Sequence, residues 1–122
     1  MARVILLGLP QDLANQLTGV LHAENHQVSK KTYIDDLQRG KTPTVVFVSG
    51  DSPEYPETLA ALREIQPQVP VVVVTRAPET RQWLDALEAG AMDYCGAPFE
   101  RVQVNWLMTS VLSQAARQHA AA

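Results

Sequence analysis

A chain of 122 residues, 46% hydrophobic and 19% charged, is long enough to bury one core and reads as a single globular domain, 1–122. Its formal net charge of −3, with no basic block, gives no electrostatic footprint for nucleic acid, and no apolar run approaches the length of a membrane span. The lone Cys95 excludes an internal disulfide and fits a reducing compartment, so a cytoplasmic location without membrane contact is expected. The apolar start, Val4 to Leu9, is too short for a secretion signal and is stopped by Pro10.

Apolar runs alternate with helical periodicity, the pattern of a parallel sheet covered by helices on both faces. Val4 to Leu7 is continuously apolar, as expected of a strand buried on both sides. Asp12 is placed to cap a helix whose stripe is Leu13, Leu17, Val20 and Leu21. A weak edge strand is expected around Gln27 to Lys31, where lysines suit an edge. Tyr33 to Arg39 reads as a short helix ended by Gly40. A third strand, Thr44 to Val48, gives way to a polar loop, Ser49 to Tyr55. Pro56 suits the first turn of a helix carrying Leu59, Leu62 and Ile65.

Pro67 and Pro70 bracket the turn into a fourth strand, Val71 to Val74. A helix from about Glu79 to Ala89 stops at Gly90, and on it Trp83 shares a stripe with Leu87 and is expected in the core. Met92 to Cys95 is a fifth strand, and a last helix runs from about Phe99 to Arg117. The Ala-rich end, Ala120 to Ala122, is expected to fray. Right-handed crossovers then give an α/β, flavodoxin-like three-layer sandwich with a five-stranded parallel sheet in the order 2-1-3-4-5. The first and last helices are expected on one face and the other three on the opposite face.

The stretch Glu88-Ala-Gly-Ala-Met-Asp-Tyr-Cys-Gly-Ala-Pro-Phe99, with Thr75 closing the run Val71 to Val74, carries the most information. It resembles the end of the receiver domain of bacterial two-component response regulators, the CheY-like phosphoacceptor module, and the resemblance covers essentially the whole chain. Such receivers end in Ala-Gly-Ala-Asp-Asp-Tyr, two variable residues, then Lys-Pro-Phe. Here Ala89-Gly90-Ala91, Asp93-Tyr94 and Pro98-Phe99 match, while Ala97 stands at the lysine position. By the same resemblance the phosphoacceptor aspartate falls on Ser49, and the acidic pair after the first strand falls on Gly8 and Leu9. The two switch positions, Thr75 and Tyr94, are retained.

The resemblance therefore implies a response regulator in two-component or phosphorelay signal transduction, but a degenerate one, a pseudo-receiver. A typical receiver gathers three carboxylates because Mg²⁺ wants oxygen ligands in near-octahedral geometry, and its lysine helps neutralise the phosphoryl group. Gly8 and Leu9 offer no side-chain oxygen, Ser49 is a weak nucleophile without an adjacent base, and Ala97 removes the cation. No catalytic residue, no cofactor, no metal ligand and no Mg²⁺ binding are expected, and the chain is not expected to be an enzyme. Two alternatives stand beside this reading. Asp51 is a possible displaced acceptor, and Arg76, with Thr75, is a possible anion contact that would make the emptied pocket an anion or small-molecule sensor. His22, His26 and His119 lack metal-ligand spacing, and Cys95 reads as a small buried hydrophobe.

Function is then expected at a contact surface. On the last helix Val104, Leu107, Met108, Val111 and Ala115 fall on one stripe, which leaves Trp106 on the far side near Val102 and Thr109. An outward tryptophan suggests a contact, since Trp is enriched at interface hot spots. The expected partners are other signalling proteins, a fused output domain, or a second copy in a weak homodimer through the helix at 79–89, the fifth strand and the last helix. Whether the domain stands alone or belongs to a longer regulator is open at this stage.

Overall fold

Successive side chains of a strand point to opposite faces, so the runs Val4 to Leu7, Val45 to Val48 and Val71 to Val74 each present apolar groups on both sides. Val4, Leu6, Val45, Phe47, Val72 and Val74 fill one core, and Ile5, Leu7, Val46, Val48, Val71 and Val73 fill a second. A sheet with two buried faces needs cover on both, and the intervening segments supply it.

The computed structural model of the chain describes residues 2–39 and 42–121, and the side chains of residues 2–37 and 42–114. Its strands are β1 (Arg3–Leu7), β2 (Gln27–Lys31), β3 (Val45–Ser49), β4 (Val71–Thr75) and β5 (Asp93–Gly96). All pair in parallel, in the order β2-β1-β3-β4-β5. The α-helices are α1 (Gln11–Ala23), α2 (Tyr55–Ile65), α3 (Thr80–Glu88) and α4 (Arg101–Ala121). Leu13, Leu17 and Leu21 of α1 meet Val104, Leu107, Met108 and Val111 of α4 in the first core. Leu59 and Leu62 of α2 and Ala86 of α3 close the second. The flavodoxin-like sandwich and its strand order are those read from the sequence. No helix among the described residues is long and apolar enough to cross a membrane.

Four local expectations change. The helix expected over Tyr33 to Arg39 is a 3₁₀ turn, Ile34–Arg39, anchored by the buried Leu37. Six residues with Asp35 and Asp36 in the first turn favour the tighter, short form. Asp12 does not cap α1; Pro10 holds the cap position without a side-chain bond, and the Asp12 carboxylate is used elsewhere. Trp83 is not in the core: it is 43% exposed, with Leu84 and Leu87 beside it also exposed. α3 packs instead through the small Ala86, with Gln82 four residues back and half-buried, which turns the tryptophan outward. Finally α4 continues to Ala121, past the expected end at Arg117, because alanine is the best helix former. Gly40, Ala122 and the side chains of Ala115 and His119 lie outside the described residues.

Cys95 is buried on β5, and burial pushes its thiol up to about 11. It is expected to resist iodoacetamide in the folded chain at pH 8 and to react once the chain unfolds, as read by intact mass. The unfolded thiol ionises near its ordinary value of about 8.5, so the unfolded chain gives up the proton first. Stability should therefore fall as pH rises from that value toward the folded one, and Cys95→Ala should flatten the slope. Tyr55 and Tyr94, also raised by burial, add a slope of the same sign near pH 10 and above.

Candidate functional site

In this sheet the crevice lies outside the carboxyl ends of the strands, where the order reverses between β1 and β3. Gly8, the residue after β1, has φ +65, a left-handed backbone that favours glycine, and its N–H donates to the Lys31 carbonyl at 2.8 Å. Leu9 and Ala97 contribute no polar group to this end. Both side chains pack, half-buried, against the core shared by α1 and α4. At the end of β3, the Ser49 hydroxyl is buried and accepts the Asp51 amide N–H at 3.2 Å. That turn folds the loop back so that the Asp51 carboxylate faces the end of β4.

There the Thr75 hydroxyl, itself fully buried, donates to Asp51 Oδ1. The backbone N–H of Arg76 donates to Asp51 Oδ2 at 2.9 Å. The Arg76 guanidinium turns away and makes a two-pronged pair with Asp12 of α1, at 2.6 and 2.7 Å. This pair is half-exposed, so it contributes about 1 kcal/mol or less and acts chiefly as a tether. A second set of bonds runs from the same loop to β5. Gln82 Nε2 donates to the Gly50 carbonyl at 2.8 Å, and Gln82 Oε1 accepts the Tyr94 hydroxyl at 2.5 Å. The Tyr94 oxygen also accepts the Glu79 N–H at 3.3 Å.

The structure thus brings Thr75, Asp51, Arg76 and Asp12 into one cluster and joins Tyr94 to it through Gln82 and Gly50. Ser49 shapes the loop, whereas Gly8, Leu9 and Ala97 place no polar side chain in the cluster. Gln82 and Gly50 escaped the sequence reading. A glutamine within a helix carries no local signal, and its partners come from two other segments. Trp106 and Val102 stand apart on α4, 72% and 81% exposed.

Beside the cluster is a cleft of about 710 Å³ lined by Gly8, Thr32, Tyr33, Ser49, Ser52 and Tyr55, among others. Glu54 and Glu57 stand at it, and among the described residues no basic side chain lines it. Arg76, the residue suggested as an anion contact, is committed to Asp12, and Thr75 to Asp51. The donors an anion would need are therefore already engaged. Mg²⁺, which receivers of this fold use, also lacks its ligand set. Among the described residues no group of three acidic, His or Cys side chains is placed to hold a metal ion. The two carboxylates at the cluster are held by Arg76 and Thr75, and Gly8 and Leu9 offer no side-chain oxygen. The residues present do not fit the ion. His26, one of the histidines without ligand spacing, accepts the Ala2 N–H on Nδ1 at 3.0 Å, a structural role.

No protein-family model matches the chain. No curated protein matches it either. Solved structures do match. NtrX from Brucella abortus in complex with ADP superposes with a TM-score of 0.87 at 18% identity, covering 98% of this chain and 29% of that one. The chain thus spans under a third of NtrX. A response regulator receiver domain protein from Clostridium thermocellum gives a TM-score of 0.82 at 13% identity, covering 97% of this chain and 99% of its own. The beryllofluoride-activated NtrC4 receiver domain dimer gives 0.80 at 15% identity, covering 94% and 99%. Response regulator receiver domains are therefore among the structural neighbours, and the fold is theirs.

Proposed function

We propose that the chain is a receiver of bacterial two-component or phosphorelay signalling that works as a phosphorylation-independent protein-interaction module and not as an enzyme. The observation that carries this reading is that the positions aligned with the acidic pair, the acceptor and the lysine bring no charged side chain to the carboxyl end of the sheet. Where the resemblance expects an acidic pair and a lysine, Leu9 and Ala97 lie against the core, and Gly8 brings no side chain. Where it expects the acceptor, Ser49 is buried and closes a turn. The retained switch hydroxyl, Thr75, is already bonded to Asp51.

The partner is met through α3, β5 and α4. Trp106 and Val102 on α4 are exposed, and on α3 Trp83, Leu84 and Leu87 add further exposed apolar side chains. Exposed aromatics beside aliphatics suit association. The partners proposed are other signalling proteins, a fused output domain, or a second copy in a weak dimer.

Incubation with acetyl phosphate and millimolar Mg²⁺ should add no mass to the intact chain, and calorimetric titration with Mg²⁺ should give no specific heat. A stoichiometric phospho-adduct would overturn the reading. Its loss on Asp51→Asn would name Asp51 as a displaced acceptor, whereas its loss on Ser49→Ala would require a base for Ser49.

A further inference from the structure

Three segments distant in sequence, the loop after β3, the end of β4 and the face of β5, are joined into one run of hydrogen bonds in which Ser49 and Thr75 are buried, Gln82 and Tyr94 half-buried, and Asp51 exposed. The Asp51 carboxylate is its centre. It is positioned by the Ser49 turn, with one oxygen taking the Thr75 hydroxyl and the other the Arg76 N–H. A carboxylate between a hydroxyl and a main-chain N–H is a charge-assisted pairing, shorter and stronger than a neutral one. We propose that Asp51 is a built-in anion that holds the switch pair in one arrangement: it fastens Thr75 and the loop after β4, and Gln82 carries that constraint to Tyr94. The inference rests on the reading of the chain as a receiver that takes no phosphoryl group.

The geometry supplies each link. Asp51 is part of the same chain, so its effective concentration at Thr75 far exceeds that of a dissolved anion. An incoming anion would also meet the displaced Asp51 charge at close range, a like-charge contact that disfavours exchange. Arg76, whose N–H completes the pairing, is tethered through its guanidinium to Asp12 on α1, which limits the loop's freedom to open.

The link toward β5 begins at Gly50. Its N–H donates to the Val74 carbonyl at 2.8 Å, and its own carbonyl receives Gln82. A Cβ added at Gly50 would lie 2.6 Å from Val73 Cγ1, so a larger residue here would force the buried Val73 side chain to shift. Gln82 ends on the Tyr94 hydroxyl. Tyr94 in turn lines a groove with Trp83 of α3 and Gln103 of α4, so the constraint set by Asp51 terminates at the proposed contact surface. Asp51 is thus a positioning residue for that surface.

The test uses the whole chain, isotope-labelled, without phosphate donors. In Asp51→Ala the Arg76 amide should exchange with solvent about tenfold faster or more, as expected for losing a hydrogen bond to a charged group. The Tyr94 ring resonances should shift in the same variant. Asp51→Asn, which keeps an acceptor and loses the charge, should fall between. Gln82→Ala should shift Tyr94 while leaving the Arg76 amide protected, and adding Asp51→Ala to it should move Tyr94 no further. Unchanged Arg76 exchange in Asp51→Ala, or Tyr94 resonances unmoved in both single variants, would overturn the inference. The two proposals fail separately. A phospho-adduct formed with acetyl phosphate sinks the phosphorylation-independent reading. Unprotected Arg76 in the untreated wild-type chain sinks the clasp.

Discussion

Trp106→Ala should weaken association through the surface of α3, β5 and α4 by about 30-fold or more while leaving the melting temperature nearly unchanged. An aromatic hot spot contributes about 2 kcal/mol or more to binding, and each 1.4 kcal/mol is about tenfold in the dissociation constant. In the isolated domain Trp106 is 72% exposed, so its removal leaves no cavity and costs little folding stability. Val102→Ser, at the neighbouring exposed position, should weaken association in the same direction by a smaller factor. Light scattering across concentration reads self-association, and titration against a candidate output domain reads binding to a partner. A lowered melting temperature with unchanged association would place Trp106 in its own fold and remove it from the interface.

Phe47→Ala should do the opposite, costing about 3–5 kcal/mol of folding stability. Phe47 is fully buried in the middle of β3, paired with Leu6 on one side and Val72 on the other, beneath α1 and α4. Its removal opens a cavity between sheet and helices that rigid neighbouring strands cannot close. For a domain of this size the melting temperature should drop by roughly 10–30 °C, at about 3–6 °C per kcal/mol. A calorimetric loss below about 1 kcal/mol would mean that the core relaxes around the missing ring, contrary to close packing. Comparing the two variants separates the residue that holds the fold from the residue proposed to use it.

The sheet was legible in the sequence because its signal is local and repeated. Continuous apolar runs of four or five residues, separated by helical stripes and by Pro and Gly, mark the three central strands, β1, β3 and β4. Right-handed crossovers then gave the order 2-1-3-4-5, and the resemblance carried by the strand-5 motif singled out the positions Gly8, Leu9, Ser49, Thr75, Tyr94 and Ala97. Trp106 was legible for the same reason: α4 is long, and its angular position follows from the helical period alone.

Other features depend on partners far along the chain, and these only the tertiary structure decided. Asp12 has the composition of a helix cap, yet its carboxylate goes to Arg76, 64 residues away. Asp51 lies in a polar loop and meets Thr75, 24 residues on. Gln82 joins Gly50 and Tyr94, 32 residues back and 12 ahead. Trp83 has an apolar stripe around it, but α3 is only nine residues long and seats itself through Ala86, so packing against the sheet chose a different face. Periodicity tells which residues prefer burial. It does not tell which polar groups meet, because that is set when separate segments dock and each buried donor or acceptor must find a partner among whatever the fold has brought within about 3 Å.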